Sequence, residues 1–225
     1  MERAPRALLL IALQLNLGVS RNPGTFVDIA ISEDNPHALR EYASISIAYV
    51  AAEVLTIDPS GTPAAWSDMS PRAVPMPFRK DYDAEPGNDP LAWPTRLDLS
   101  RLILLGAHAS GVRVGGAAVL TDTSVLDMTG PCQGVAVLWD LRVAPDFRRQ
   151  HIGSTLLAAA EGLARARDAR ILQVETQNTN VPACRFYARH GYDLFAANRN
   201  AYPSLLAEVQ LLCAKSLIEF VPRSG

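Results

Sequence analysis

Cysteine is scarce in this chain of 225 residues. Cys132, Cys184 and Cys213 lie far apart and form no Cys-x-x-Cys pair. That spacing excludes a zinc ribbon, and three thiols cannot all pair with one another. The plain reading is three reduced cysteines in a cytoplasmic protein. A dominant charge sign is also missing: 21 Lys and Arg face 23 Asp and Glu, a formal net charge of −2. The chain as a whole therefore offers no basic footprint, and no nucleic-acid partner is expected. No metal-ligand spacing, internal repeat or low-complexity tract is present. Apolar residues make up 48% and charged residues 20%, a balance that excludes wholesale disorder.

Long apolar runs are missing as well. Residues 7–13 follow Arg3 and Arg6, and Leu15, Leu17 and Val19 extend them past Gln14 and Asn16. A basic start before a short apolar stretch has the outline of a secretory signal. The run is shorter than the roughly 20 apolar residues a spanning helix needs, so no stable membrane insertion is expected. No clean small-x-small cleavage site follows. The alternative is a packed N-terminal extension over residues 1–24, ahead of a single domain over residues 25–225.

Residues 26–31 alternate apolar and polar side chains and read as the first strand. Residues 37–54 mix Ala with β-branched residues, which leaves helix and strand open. Residues 58–96 hold Pro59, Pro63, Pro71, Pro75, Pro77, Pro86, Pro90 and Pro94. That density excludes a long helix or a central strand and predicts a long irregular excursion. Within it, residues 80–85 form an acidic-aromatic patch, read as a solvated loop or a substrate contact. Residues 101–109 and 112–121 flank Ser110-Gly111 as a hairpin would. Residues 134–143 read as a buried strand ended by Pro145, and residues 153–169 as an amphipathic helix. Residues 170–176 read as a strand. Asn180-Val181-Pro182 opens a short helix that ends at His190-Gly191, and strands are expected at 192–197 and 207–215.

The informative segment runs from Leu141 to Leu157. A strand passes through a tight basic loop directly into a helix. The first N–H groups of a helix lack intrahelical partners, and the helix dipole adds positive charge. Together they make an anion site suited to a pyrophosphate. Gly153 and Ser154 let phosphate oxygens approach the backbone, and Arg148 and Arg149 add charge.

This run resembles the acyl-CoA loop of the GNAT superfamily of N-acyltransferases, Arg/Gln-x-x-Gly-x-Gly/Ala after a strand ending in Val. Val143, Arg148 and Gly153 fit that pattern, and His151 stands where the first glycine usually lies. A second segment resembles the family's Asn-x-x-Ala-x-x-x-Tyr-x-x-x-Gly-Phe signature. Asn180, Ala183, Tyr187 and Gly191 match it, with Tyr192 in place of Phe. The resemblance covers residues 101–217, roughly half the chain. It implies an α+β fold, a mostly antiparallel twisted sheet flanked by helices, whose central strands splay to form an acyl-CoA cleft. Acetyl-CoA is the implied cosubstrate, with no metal. Implied cofactor contacts are Leu141, Arg142, Val143, Arg148, Arg149, Gln150, His151, Ile152, Gly153, Ser154, Asn180, Ala183 and Tyr187. Residues 174–183 look most like streptothricin-type acetyltransferases. A comparable Glu also occurs in enzymes that acetylate ribosomal-protein N-termini. The expected partner is a small-molecule amine or a peptide amine, and a homodimer stays open.

Acyl transfer to an amine needs a neutral nucleophile, a donor for the developing oxyanion and a proton for the leaving thiolate. Glu175 is the first choice of base, against an exposed strand carboxylate. Asp140 is the runner-up, against a structural ion pair with Arg142. Tyr187 is the expected acid, against a buried core tyrosine. Asn180 is read as a cofactor contact, a helix cap, or both. Cys184 as nucleophile lacks a His partner. Trp66, Trp93 and Trp139 are read as core aromatics or as lining for an acceptor pocket. A non-catalytic acyl-CoA-binding module is the remaining alternative.

Overall fold

The computed structural model describes residues 15–22, 25–35, 37–57, 65–121, 134–202 and 208–218. Its sheet grows around the hairpin of β5 (Leu102–Ala109) and β6 (Val112–Leu120). Ser110 and Gly111 join them with φ of 50° and 79°. Two positive-φ residues give the turn the twist that the flanking strands require. β1 (Leu15–Asn22), β2 (Thr25–Asp34), β7 (Val135–Val143), β8 (Ile171–Gln177), β9 (Asp193–Asn198) and β10 (Gln210–Ser216) complete an eight-stranded sheet. Its order is β1-β2-β5-β6-β7-β8-β10-β9. Every pairing is antiparallel except β7 with β8, which run parallel. A parallel pair needs a long crossover, and α2 (Ile152–Ala166) supplies it.

Strand side chains alternate between faces, so each face carries its own core. On one face, Leu105, Ala107, Val119, Leu138 and Val174 pack against Leu156, Leu157 and Ala160 of α2 and Tyr187 of α3 (Val181–Arg189). Leu156 and Leu157 are fully buried, each worth about 1.5–3 kcal/mol of transfer free energy. On the other face, Leu104, Ala118, Leu120 and Val137 pack against Leu39 and Tyr42 of α1 (Leu39–Ala43) and Trp93. The α+β architecture with a mostly antiparallel sheet and flanking helices is the one the resemblance implies.

Two irregularities make the site. Ala118 pairs with Asp140 and Val119 with Leu138, which leaves Trp139 as an unpaired bulge residue. A bulge inserts one residue and shifts the facing of those that follow. Trp139 and Asp140 consequently both turn to the α1 face, where they meet Trp93 and Tyr42. The β7–β8 pairing also stops at Leu138 and Val174, although β7 continues to Val143 and β8 to Gln177. The strands part there, as the splayed central strands of the resemblance require.

The first third departs from the sequence expectations in two places and resolves one that was left open. The sheet begins at Leu15, inside the stretch assigned to an extension, because residues 15–20 also alternate with the period of a strand. The apolar run at residues 7–13 lies outside the described residues. Residues 37–54 hold both of the competing elements, α1 and then β3 (Tyr49–Thr56). The proline-rich stretch is not irregular throughout. β4 (Ser70–Lys80) pairs with β3 as a separate two-stranded ribbon, followed by short 3-10 turns. Ala51 pairs with Phe78 and Glu53 with Ala73, so Val74, Pro75, Met76 and Pro77 bulge opposite one residue. Proline lacks the ladder N–H, and a bulge in a ribbon does not require it.

Candidate active site

A cleft of about 1010 Å3 opens where β7 and β8 part. One end reaches Gly153 at the start of α2, and the other reaches Glu175, Tyr202 and Gln210. Among the described residues, β7 beyond Leu138 has β6 on one side and no strand on the other. Its cleft-side main chain is open to a linear ligand with amide groups. Leu141 and Val143 also line this wall. The Arg142 side chain does not. It is fully buried and turned to the α1 face, so any ligand contact from Arg142 is made by its backbone.

The basic loop fits an anion mainly through its main chain. Thr155 N to His151 O is the first intrahelical bond of α2, which leaves the N–H groups of Ile152, Gly153 and Ser154 ahead of it. Arg149 and His151 have φ of 65° and 61°, the left-handed region that favours glycine. The missing glycine at 151 is therefore a real conformational demand, met by an exposed histidine. Alternating hands in consecutive residues turn successive N–H groups into one concavity. At Gly153 an added Cβ would lie 3.7 Å from the Phe186 ring, so the position is not crowded. Two expected side-chain contacts are engaged elsewhere. The Arg148 guanidinium donates to the backbone carbonyls of Val143, Ser46 and Ala48 at 3.0–3.1 Å. Burial lowers its pKa. Gln150 donates to Asp146 O at 3.1 Å. Ile152 points into the core at 1% exposure. Ser154 bonds the His190 ring at 3.1 Å, which ties the start of α2 to the end of α3. Asn180 caps α3 by accepting from Ala183 N at 3.2 Å, and both residues line the cleft. The residues present fit acetyl-CoA: an open strand edge leads to a helix start with free N–H groups.

At the far end, Glu175 Oε1 accepts from the Tyr202 hydroxyl and, at 3.4 Å, from Gln177 Nε2. Its Oε2 accepts from Gln210 Nε2 at 2.9 Å. Burial and then the Glu175 charge push the Tyr202 pKa up, so its hydroxyl stays protonated. Tyr82 donates to Gln177 and lies 3.1 Å from Tyr49. Lys80 bridges Glu85 at 2.9 Å and Glu208 at 3.1 Å beside them. Asp140 faces the cleft but takes the ion-pair alternative. It accepts from Arg142 at 2.7 and 2.8 Å and from Tyr42 at 2.6 Å. Arg142 reaches on to Asp83 at 3.0 Å. Tyr187 lines the cleft between the two ends, and burial raises its pKa so that it remains a donor.

The remaining candidates separate cleanly. Cys184 is buried, its thiol pushed up to about 12 by burial, and it donates to Gln177 O. A thiol held protonated there is no nucleophile. Trp139 and Trp93 line the cleft. Trp66 instead packs between two cores and donates to Tyr192 O at 2.7 Å.

The sequence model of the acetyltransferase (GNAT) family matches residues 66–192. The chain belongs to that family. Over 69 residues it is 36% identical to streptothricin acetyltransferase A of Bacillus subtilis (strain 168), covering 31% of this chain and 40% of that protein. Over 87 residues it is 28% identical to a protein of the same organism assigned as a ribosomal protein bS18-alanine N-acetyltransferase, 35% of this chain and 58% of that one. The chain thus matches less than two thirds of the length of either relative. Among solved structures, nourseothricin acetyltransferase is similar with a TM-score of 0.63 and 19% identity, covering 84% of this chain and 99% of that one. A protein assigned as a streptothricin acetyltransferase from Bacillus anthracis str. Ames, solved with acetyl coenzyme A, gives 0.65 and 20%, with 84% and 98% coverage. At those identities the likeness establishes the fold.

Sequence reasoning had not placed Tyr49, Gln177, Tyr202 or Gln210 in the site of this GNAT protein. Gln177 had a weak signal in the stretch 174–183 that looks like streptothricin-type enzymes. Residues 80–85 proved to be more than a solvated loop, since Lys80, Tyr82, Asp83 and Glu85 line the cleft. No helix among the described residues is long and apolar enough to cross a membrane.

Proposed function

We propose that this protein transfers the acetyl group of acetyl-CoA to a primary amine by direct attack, with a small cationic amine as acceptor. Glu175 carries the reading. It sits where the strands part, and its partners Tyr202, Gln177 and Gln210 are all neutral donors. The family's cosubstrate supplies an activated thioester. The chain's part is to hold, orient and move protons. A lysine-like amine has a pKa of about 10.4 and arrives charged, so the Glu175 carboxylate, with no cation bonded to it among the described residues, both attracts it and takes its proton. The freed nitrogen pair can then form the new bond to the acetyl carbon. As the carbon–sulfur bond breaks, Tyr187 gives its hydroxyl proton to the departing sulfur, and the surplus proton on the new amide nitrogen restores the Tyr187 hydroxyl. Main-chain groups of residues 141–143 on the open β7 edge orient the acyl arm, and the free N–H groups at the start of α2 take the pyrophosphate. Asp140 serves as a structural anion for Arg142. Acetyl-CoA is a cytosolic metabolite, so this reaction belongs in the cytoplasm.

Release of free CoA from acetyl-CoA tests the proposal, with streptothricin, lysine and an alanine-starting peptide as acceptors. Turnover with streptothricin or lysine is the expected result. Turnover with the peptide alone favours a second reading, protein N-terminal acetylation, which the relative assigned to ribosomal protein bS18 supports. Tight CoA binding with no release above hydrolysis for any amine overturns catalysis and leaves an acyl-CoA-binding module.

A further inference from the structure

The Glu175 backbone is fixed by β8, where it pairs with Leu212 of β10. Its carboxylate is aimed by other segments. An ionised carboxylate only accepts hydrogen bonds, about two at each oxygen. The Gln177 atom facing Oε1 must therefore be Nε2, which leaves the Gln177 carbonyl oxygen to Tyr82. Gln177 Nε2 also donates to the Tyr202 oxygen at 2.7 Å. With its oxygen accepting there, Tyr202 turns its single proton onto Glu175. Tyr82 has committed its own proton to Gln177, so Tyr49 donates to Tyr82, and Thr179 at 3.2 Å donates to Tyr49. The donors run one way: Thr179, Tyr49, Tyr82, Gln177, Tyr202, Glu175. Among the described residues, Oε1 then holds two bonds and Oε2 only the one from Gln210. Oε2 keeps an open acceptor position.

The geometry points to Tyr202 as the residue that positions Glu175, with Gln177 setting the direction of the Tyr202 proton and Oε2 left to receive the proton of the amine. This rests on the reading of Glu175 as the base. Tyr202 is a positioning residue. It acts by holding one carboxylate oxygen so that the other stays free and fixed. The Gln177 amide cannot pass a proton along, so the chain is a brace and not a relay.

A double-mutant cycle with acetyl-CoA and streptothricin tests the inference. Tyr202→Phe should lower kcat about tenfold, the scale of one hydrogen bond to a charged group, with the KM for acetyl-CoA unchanged. In a Glu175→Gln background the same change should cost almost nothing, because its target has gone. Equal losses in both backgrounds would mean that Tyr202 acts by itself, and an unchanged kcat in the parent background would mean that it does not act. Either result overturns the brace. Full activity of Glu175→Gln alone would instead remove the base assignment on which the brace depends. Crystal structures of the parent and Tyr202→Phe provide a second measure that needs no acceptor. The carboxylate should leave its place in the variant. A carboxylate still seated on Gln177 and Gln210 rejects the positioning role.

Discussion

At the α2 end of the cleft the chain offers main-chain groups, and at the β8 end it offers side chains. The first end is one contiguous stretch, residues 141–154, with N–H groups aimed by a helix start and two left-handed residues. Its arginine and glutamine side chains mostly hold the loop itself together. The second end draws Tyr49, Tyr82, Glu175, Tyr202 and Gln210 from separate segments, with Tyr82 and Gln177 95 residues apart. A ligand common to a family can be held by backbone, which tolerates changes of side chain. An acceptor that differs from one enzyme to the next is read by side chains, which can change without disturbing the loop.

The contrast makes the two ends separable by mutation. The largest effect should come from Glu175→Gln, with kcat/KM lowered by about 10²–10⁴ at neutral pH, the usual contribution of a general base. The loss should shrink as pH rises towards the ammonium pKa, because solvent then supplies neutral amine. A pH–rate profile checks this, and a parent-like profile would hand proton removal to a water chain. CoA affinity should not change, since Glu175 is at the other end.

Next comes Gly153→Glu, which should weaken acetyl-CoA binding about 100-fold, as expected for the loss of charge-assisted hydrogen bonds at the anion site. An added Cβ at Gly153 would meet Phe186 and Val143 only at ordinary contact distance, which predicts an intact fold. Calorimetry with CoA and far-UV circular dichroism measure both. Unchanged affinity would move the pyrophosphate off this loop.

Tyr187→Phe lies between the two ends and should lower kcat about tenfold by removing one hydrogen-bonding proton donor. High pH should bring no rescue, because burial holds the parent hydroxyl protonated throughout the assay range. Rescue like that of Glu175→Gln would show that Tyr187 serves the amine and not the sulfur.

The smallest effect is expected from His151→Gly. Glycine adopts a φ near 61° without the strain of a side chain, of order 1 kcal/mol. CoA affinity should hold or rise slightly. A clear loss in titration calorimetry would mean that the imidazole contacts phosphate, and the main-chain account of this end would need that side chain.

Legibility divides along the same line. The Leu141–Leu157 run and the Asn180–Tyr192 run carried the family resemblance, because each is local, and the structure brings both to one cleft. The Ser110-Gly111 turn announced the hairpin for the same reason. Residues 15–22 were misassigned because an apolar run with a basic start hid an alternation of strand period. Proline density obscured β4, since a four-residue bulge absorbs Pro75 and Pro77 without a break in the ribbon. Asp140 left base and ion pair undecided until Tyr42, Asp83 and Arg142 stood around it.

By itself the sequence determined the family, the order of the later strands and helices, and the strand–loop–helix turn that opens α2. Those depend on periodicity, turn chemistry and helix termini, which are set within a dozen residues. Only the tertiary structure decided where the sheet begins, which carboxylate is paired with arginine, and which tyrosine bonds Glu175. Each of these depends on side chains that the chain's path brings together over long separations. A hydrogen bond at 3 Å is specified by position in space, and spacing along the chain does not encode it.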